Sequence, residues 1–224
     1  MTLEEKIIAY QKLVEKRKNY TFIDKSLINP SQSKFDTCEI EPWAQWQNNL
    51  NAKILLIGQE FSDYQTFINT EGKVELVPNK YAYPSNKNLY NLFNLLGYDL
   101  GHPLSPNKEN PIFFTNAVMG LKTPPMSANF KTSWIKESRD LFLKPLIDII
   151  QPKIIITMGA VATKSVFELY NLKTMSLKNM VDNSPITVSS GLLIFPVFHT
   201  GGLGIRNRNN ELQLKDWNKI KQWL

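Results

Sequence analysis

Four side chains able to do chemistry stand just beyond short apolar runs in this chain. Glu60 and Asp63 follow Ile54-Leu55-Leu56-Ile57, Asn116 follows Phe113-Phe114-Thr115, and His199 follows Phe195-Pro196-Val197-Phe198. A carboxylate in such a place can orient water or steady a developing cation. Asn116 carries a donor and an acceptor on one planar group, the combination that a pyrimidine edge needs. His199 opens a loop with three glycines, Gly201-Gly202-Leu203-Gly204, followed by Arg206 and Arg208. Backbone amides freed by glycines, with guanidinium groups nearby, suit phosphate.

Each of these residues also has a plainer reading. Glu60 and Asp63 could be solvated loop charges, or Asp63 could cap a following helix. Asn116 could bond to neighbouring loop backbone, and His199 could be structural. From His199 onward five basic side chains stand against two acidic ones, which suits a polyanion but also suits a wet helical face. Gly159-Ala160 is only a weak nucleotide-loop turn, and Gly159 is expected to allow close helix packing. Neither G-x-G-x-x-G nor G-x-x-x-x-G-K-[ST] occurs, which argues against dinucleotide redox chemistry and P-loop phosphoryl transfer.

The elements that must hold these groups are legible as two alternating kinds of segment. Buried-strand runs are expected at Lys53 to Ile57, Ile112 to Thr115, Lys153 to Thr157 and Leu192 to Val197. Helical spacing lies between them: Leu89, Leu92, Phe93 and Leu96; then Leu141, Phe142, Leu146, Ile149 and Ile150; then Val161 to Leu169; and finally Leu214, Trp217, Lys221 and Leu224. An N-terminal helix is marked by the capping box Thr2-x-x-Glu5, with Leu3, Ile7, Tyr10 and Val14 as its apolar stripe. Successive parallel strands need crossovers rather than hairpins. The expected architecture is therefore α/β: a three-layer α/β/α domain around a central, mostly parallel four-stranded sheet, preceded by a helical extension over about residues 1–50. No repeat or second hydrophobic block divides the 224 residues, so one domain, 1–224, is expected. Open parallel sheets place their sites at the carboxyl ends of the strands.

Composition narrows the chemistry. The chain is 42% hydrophobic and 21% charged, with a formal net charge of +6, so it can bury a core and can meet a polyanion. One cysteine, Cys38, excludes an internal disulfide and any cysteine-built zinc or iron–sulfur site. Two histidines, His102 and His199, make a histidine-rich metal cage an unsuitable reading, and no cofactor is implied. The start is acidic and helical rather than basic and apolar, and no run of about 18 apolar residues occurs. A cytoplasmic setting without membrane contact is expected.

Gly58-Gln59-Glu60, Thr115-Asn116 and His199-x-x-x-Leu203, in that order and each at a strand end, resemble the uracil-DNA glycosylase superfamily over roughly residues 50 to 217. The run Pro152-Lys-Ile-Ile-Ile-Thr-Met-Gly159 and the helix start Pro84-Ser-Asn-Lys-Asn-Leu89 look like segments of its bacterial members. The resemblance implies an enzyme that flips uracil or another deaminated base out of DNA and hydrolyses its bond to the sugar; a monomer is expected. By the same resemblance, Gln59 and Asn116 face the base, Glu60 takes the place of the acidic residue, and His199 bonds the departing base. Leu203 matches the apolar wedge. Phe61 and Tyr83 are the aromatic platforms considered for stacking, and Gly201, Gly202 and Arg206 accompany Leu203 on DNA.

The chain departs from that pattern in two places. The acid is Glu60 rather than the usual Asp, which leaves Asp63 as an alternative working carboxylate. The usual His-Pro-Ser-Pro wording has become His199-Thr200-Gly201-Gly202. A superfamily member that binds nucleic acid or protein without catalysis therefore stays open, as does a nucleosidase acting on free nucleosides.

Overall fold

The computed structural model describes residues 1–72, 84–125, 127–188 and 191–224. Among these residues the helices are α1 (Leu3–Lys18), α2 (Pro42–Trp46), α3 (Tyr64–Asn69), α4 (Pro84–Leu95), α5 (Thr132–Ser138), α6 (Lys144–Ile150), α7 (Ala160–Leu169), α8 (Leu177–Asp182), α9 (Gly202–Asn207) and α10 (Asn210–Lys221). A π turn over Arg139–Leu143 links α5 to α6. The strands are β1 (Leu27–Ile28), β2 (Ile54–Glu60), β3 (Gly101–His102), β4 (Ser105–Pro106), β5 (Ile112–Val118), β6 (Leu121–Lys122), β7 (Ile154–Met158), β8 (Ile186–Thr187) and β9 (Leu193–Val197).

The fold is mixed α/β with a mostly parallel central sheet in the order β5-β2-β7-β9-β8. The four expected strands are present and parallel, but the sheet has five members rather than four. The fifth, β8, lies antiparallel to β9 through Ile186↔Ile194 and Thr187↔Leu193. Two residues are too few to make an apolar run, so only the pairing reveals this strand.

Alternation along the strands divides the apolar side chains between two cores. Leu55, Ile57, Phe113, Ile155 and Ile194 pack with Trp134, Phe142, Leu146 and Phe167 in one. Ile54, Leu56, Phe114, Ile156 and Phe195 pack with Leu89, Phe93 and Trp217 in the other. Tyr10, Leu13, Phe22, Leu27, Ile40 and Ala44 belong to the first core, so the first 50 residues are packed into the main body.

The capping box of α1 forms as expected, with Glu5 N–H donating to Thr2 Oγ1 at 3.2 Å and Thr2 N–H to Glu5 Oε2 at 2.7 Å. Its buried stripe differs from the apolar one. Leu3 and Ile7 are 50% and 40% exposed, whereas Lys6, Tyr10, Leu13 and Arg17 are buried. Backbone and side-chain acceptors beneath the helix hold this orientation. Lys6 Nζ donates to the Ile150 carbonyl at 2.9 Å and to the Leu50 carbonyl at 3.2 Å. The Arg17 guanidinium donates to Glu39 O, Asn29 Oδ1, Asp36 Oδ2 and Cys38 O.

Two strands run past their apolar stretches, and this positions the site. Parallel pairing continues through Gly58↔Asn116 and Glu60↔Val118. Gly58, Gln59, Glu60 and Asn116 are therefore strand residues rather than members of the loops that follow. No helix among the described residues is long and apolar enough to cross a membrane.

Candidate active site

At the carboxyl end of β2, Gly58 lies beside Asn116 of β5, so closely that a Cβ on Gly58 would collide with Asn116 Oδ1. Only glycine permits that approach. Asn116 is 0% exposed. Its Nδ2 donates to Glu41 Oε2 at 2.9 Å, while Oδ1 has no hydrogen-bond partner among the described residues. Glu41, itself buried, immediately precedes α2.

Two residues further along β2, Glu60 Oε1 lies 3.1 Å from Lys122 Nζ, with the two side chains 8% and 1% exposed. Lys122 Nζ also donates to the Ala128 carbonyl at 3.0 Å and sits 4.6 Å from the centroid of the Phe130 ring. Burial pushes the Glu60 carboxyl up to about 7; the nearby Lys122 charge opposes that rise and Asp63 adds to it. Lys122 is held in place by β6, which pairs with β1, and by a bridge to Asp63.

Asp63 and Phe61, both expected at the site, carry structural duties here. Asp63 is the N-cap of α3, where its carboxylate accepts from Thr66 N–H at 2.8 Å and from Thr66 Oγ1 at 2.9 Å. Phe61 is 8% exposed and packs edge-on against Phe67, in a small cluster with Cys38 and Leu121. Tyr83 lies outside the described residues.

His199 follows the end of β9 and is tied to its own loop. Gly201 N–H donates to His199 Nδ1 at 2.9 Å. In the neutral ring this leaves the proton on Nε2, which becomes the donor. Burial lowers the His199 pKa from its ordinary value, which favours that neutral form. The loop turns back so tightly that a Cβ on Gly204 would collide with the His199 carbonyl.

Two clefts open along this edge of the sheet. One, of about 370 Å³, is lined by Gln59, Gly159, His199, Gly201, Gly202 and Leu203. The other, of about 500 Å³, is lined by residues including Gln59, Glu60, Asn129, Phe130, Lys164 and Leu203. Gln59 and Leu203 border both, and Leu203 is 71% exposed at the start of α9. Asn116 lines neither cleft and lies buried beside Gly58.

The two arginines after this loop have different fates. Arg206 is exposed. Arg208 is instead buried in a bidentate pair with Asp216, at 2.7 and 2.8 Å, and it also meets Asp182 at 3.0 Å. That arginine is spent on holding α8 and α10 rather than on an anion.

The structure thus brings Gln59, Glu60, His199, Gly201, Gly202 and Leu203 to adjoining clefts, and adds Lys122 and Glu41 as close partners of Glu60 and Asn116. Nothing in the spacing of Lys122 or Glu41 marks them in the sequence, because each meets its partner through long-range packing. Among the described residues no group of three or more His, Cys, Asp and Glu is placed to hold a metal.

Comparison with curated proteins finds no match. The sequence model of the uracil DNA glycosylase superfamily matches residues 44–223, a span that takes in both clefts and the whole central sheet. The chain belongs to the uracil DNA glycosylase superfamily.

Proposed function

We propose that this protein is a DNA glycosylase that hydrolyses the N-glycosidic bond of uracil, or of a related deaminated base, after the nucleotide has left the duplex. Breaking that bond leaves positive charge on the sugar and negative charge on the base, so groups complementary to both favour the transition state over the ground state. Glu60, as a carboxylate, stabilises the sugar cation and orients the water that adds to it. His199 donates from Nε2 to the base oxygen as the base departs. Gln59, which lines both clefts, faces the base; the family resemblance assigns the base edge to Asn116, which in this structure is buried behind the clefts beside Gly58.

Extruding a nucleotide costs roughly a few kcal/mol. An apolar side chain standing in solvent is suited to fill the gap in the stack, and Leu203 has that exposure. Arg206, with the amides of Gly201 and Gly202, is placed to meet backbone phosphate.

The observation that carries this reading is the meeting of two segments far apart in the chain at one edge of the sheet: Gln59 from β2 and His199 with Leu203 after β9 line the same cleft. Uracil-containing single- and double-stranded oligonucleotides, followed by alkaline cleavage, test it. Strand breaks at uracil are expected. Intact strands with uracil, hypoxanthine and xanthine across a range of salt would remove the proposal.

A second reading is favoured by the buried Lys122–Glu60 pair, which could serve packing alone. The protein would then bind nucleic acid without releasing a base. Salt-dependent binding with no base release is its signature.

A further inference from the structure

Two carboxamides from separate helices grip consecutive carbonyls of the loop that carries His199. Asn88 of α4 donates from Nδ2 to the Thr200 carbonyl at 2.9 Å. Gln213 of α10, itself buried, donates from Nε2 to the His199 carbonyl at 3.4 Å and to the Arg208 carbonyl at 3.0 Å. An amide NH₂ carries two protons, so both of these bonds form together. The Thr200 side chain is buried as well, and its hydroxyl donates to Met158 Sδ at 3.6 Å, at the end of β7. Asn88 and Gln213 border one cleft of about 160 Å³ between α4 and α10. The same two helices are tied by Phe93, which packs edge-on against Trp217 with ring centroids 5.2 Å apart.

The Thr200 carbonyl and the Gly201 N–H belong to one peptide group, which is planar, so fixing the direction of the oxygen fixes the direction of the N–H. That N–H is the donor to His199 Nδ1, at 2.9 Å. Which ring nitrogen keeps the proton is set by the bond that the other one makes. The glycines that follow leave the backbone free to turn, so the loop itself does not hold this peptide plane. We propose that Asn88 is a positioning residue for His199: by holding the Thr200 carbonyl it aims the Gly201 N–H at Nδ1 and keeps the ring proton on Nε2, with Gln213 securing the peptide before it. The bond from Asn88 also polarises that peptide and strengthens its N–H as a donor. The use of the Nε2 proton rests on the glycosylase reading, whereas the tautomer and direction of the ring are properties of the free protein.

The test reads the ring as well as the reaction. The chain has two histidines, His102 and His199, so ring ¹⁵N spectra of the labelled protein are simple, and His102→Ala assigns them. At an alkaline pH, where the ring is neutral, the wild type is expected to show His199 with Nε2 protonated and Nδ1 accepting, the two nitrogens well separated in shift. Asn88→Ala removes the donor, and Asn88→Asp keeps the shape but sets an acceptor against the carbonyl. In both, the two His199 nitrogens should draw together toward the mixture of free imidazole. Single-turnover excision of uracil from single strands should fall by roughly 10–100-fold, the scale of loss when a reacting group is displaced by about an ångström. Affinity for a strand carrying 2′-fluoro-deoxyuridine, which resists loss of the base, should change much less.

Unchanged His199 signals in a folded N88A overturn the inference whatever happens to its melting temperature, because packing alone would lower stability without moving the ring. Altered signals with excision as fast as wild type overturn it too. A wild type that shows the fixed ring, lost in N88A, yet releases no base would instead overturn the glycosylase reading and leave the role of Asn88 standing. If neither Asn88 variant folds, Gln213→Met decides the matter: it removes the donor to the preceding peptide, the same spectral change is expected, and unchanged signals count against the proposal.

Discussion

Lys122 Nζ lies 3.1 Å from Glu60 Oε1, and the two side chains are only 1% and 8% exposed. Burial and ion pairing therefore act on Glu60 in opposite directions. Burial is the larger influence, and the carboxyl is left with a pKa of about 7. Breaking such a pair by removing one partner would leave a buried charge uncompensated.

Base excision is expected to rise with pH and reach half its maximum near 7, because the carboxylate form of Glu60 is the working one. Lys122→Met should move that midpoint upward by about one unit or more, since only burial and Asp63 would then act on Glu60. Stability follows the opposite course. The folded pKa lies above the ordinary 4.5, so the contribution of Glu60 is complete below about pH 4.5 and is lost as pH rises through 7. Rate profiles and thermal melts from pH 5 to 9 check both, and an unchanged midpoint in the variant would contradict the pairing argument.

Asp63→Asn and Glu60→Gln should separate the two acids. Asparagine is also a good N-cap, so the first change should cost only a few tenths of a kcal/mol and leave activity largely intact. By removing a negative charge near Glu60, it should also shift the acid limb to lower pH. Glu60→Gln should lower turnover by roughly 10²-fold or more. Single-turnover kinetics would reverse the assignment if D63N proved the inactive one.

His199→Ala should reduce turnover by about 10²–10³-fold, the usual cost of losing one donor at a developing anion. DNA affinity should change by much less. A loss in affinity that matches the loss in rate would mean that His199 only shapes the loop it shares with Gly201.

Leu203→Ala removes a side chain that is 71% exposed, so melting should stay within about 0.5 kcal/mol of wild type. Excision from duplex DNA should drop several-fold more than excision from single strands, which have no stack to refill. Equal losses on both substrates would exclude a wedge.

Arg17→Met tests the anchoring of α1. Its guanidinium is 0% exposed and pairs with Asp36 at 3.0 Å, besides bonding two carbonyls and Asn29. Loss of about 3–5 kcal/mol is expected in urea unfolding, with the Asp36 charge left in place.

How much of this was readable beforehand divides along physical lines. The four long strands, their parallel pairing and the helices between them were legible because buried strands and amphipathic helices leave local patterns of period and length. The strand-end rule then brought Glu60, Asn116 and His199 into view. Local pattern failed where pairing or polar contact decided the outcome: the two-residue β8, the continuation of β2 and β5 past their apolar runs, and the rotated stripe of α1.

By itself, the amino-acid sequence determined the fold class, the family resemblance and the residue types along one edge of the sheet. Only the tertiary structure assigned Asp63 to a helix cap, Phe61 to a packed cluster and Arg208 to Asp216, and only it set Lys122 against Glu60 and Glu41 against Asn116. The last pair is separated by 75 residues. A side chain's charge state and direction depend on what is buried against it, and such neighbours are chosen by the packing of distant segments rather than by spacing along the chain.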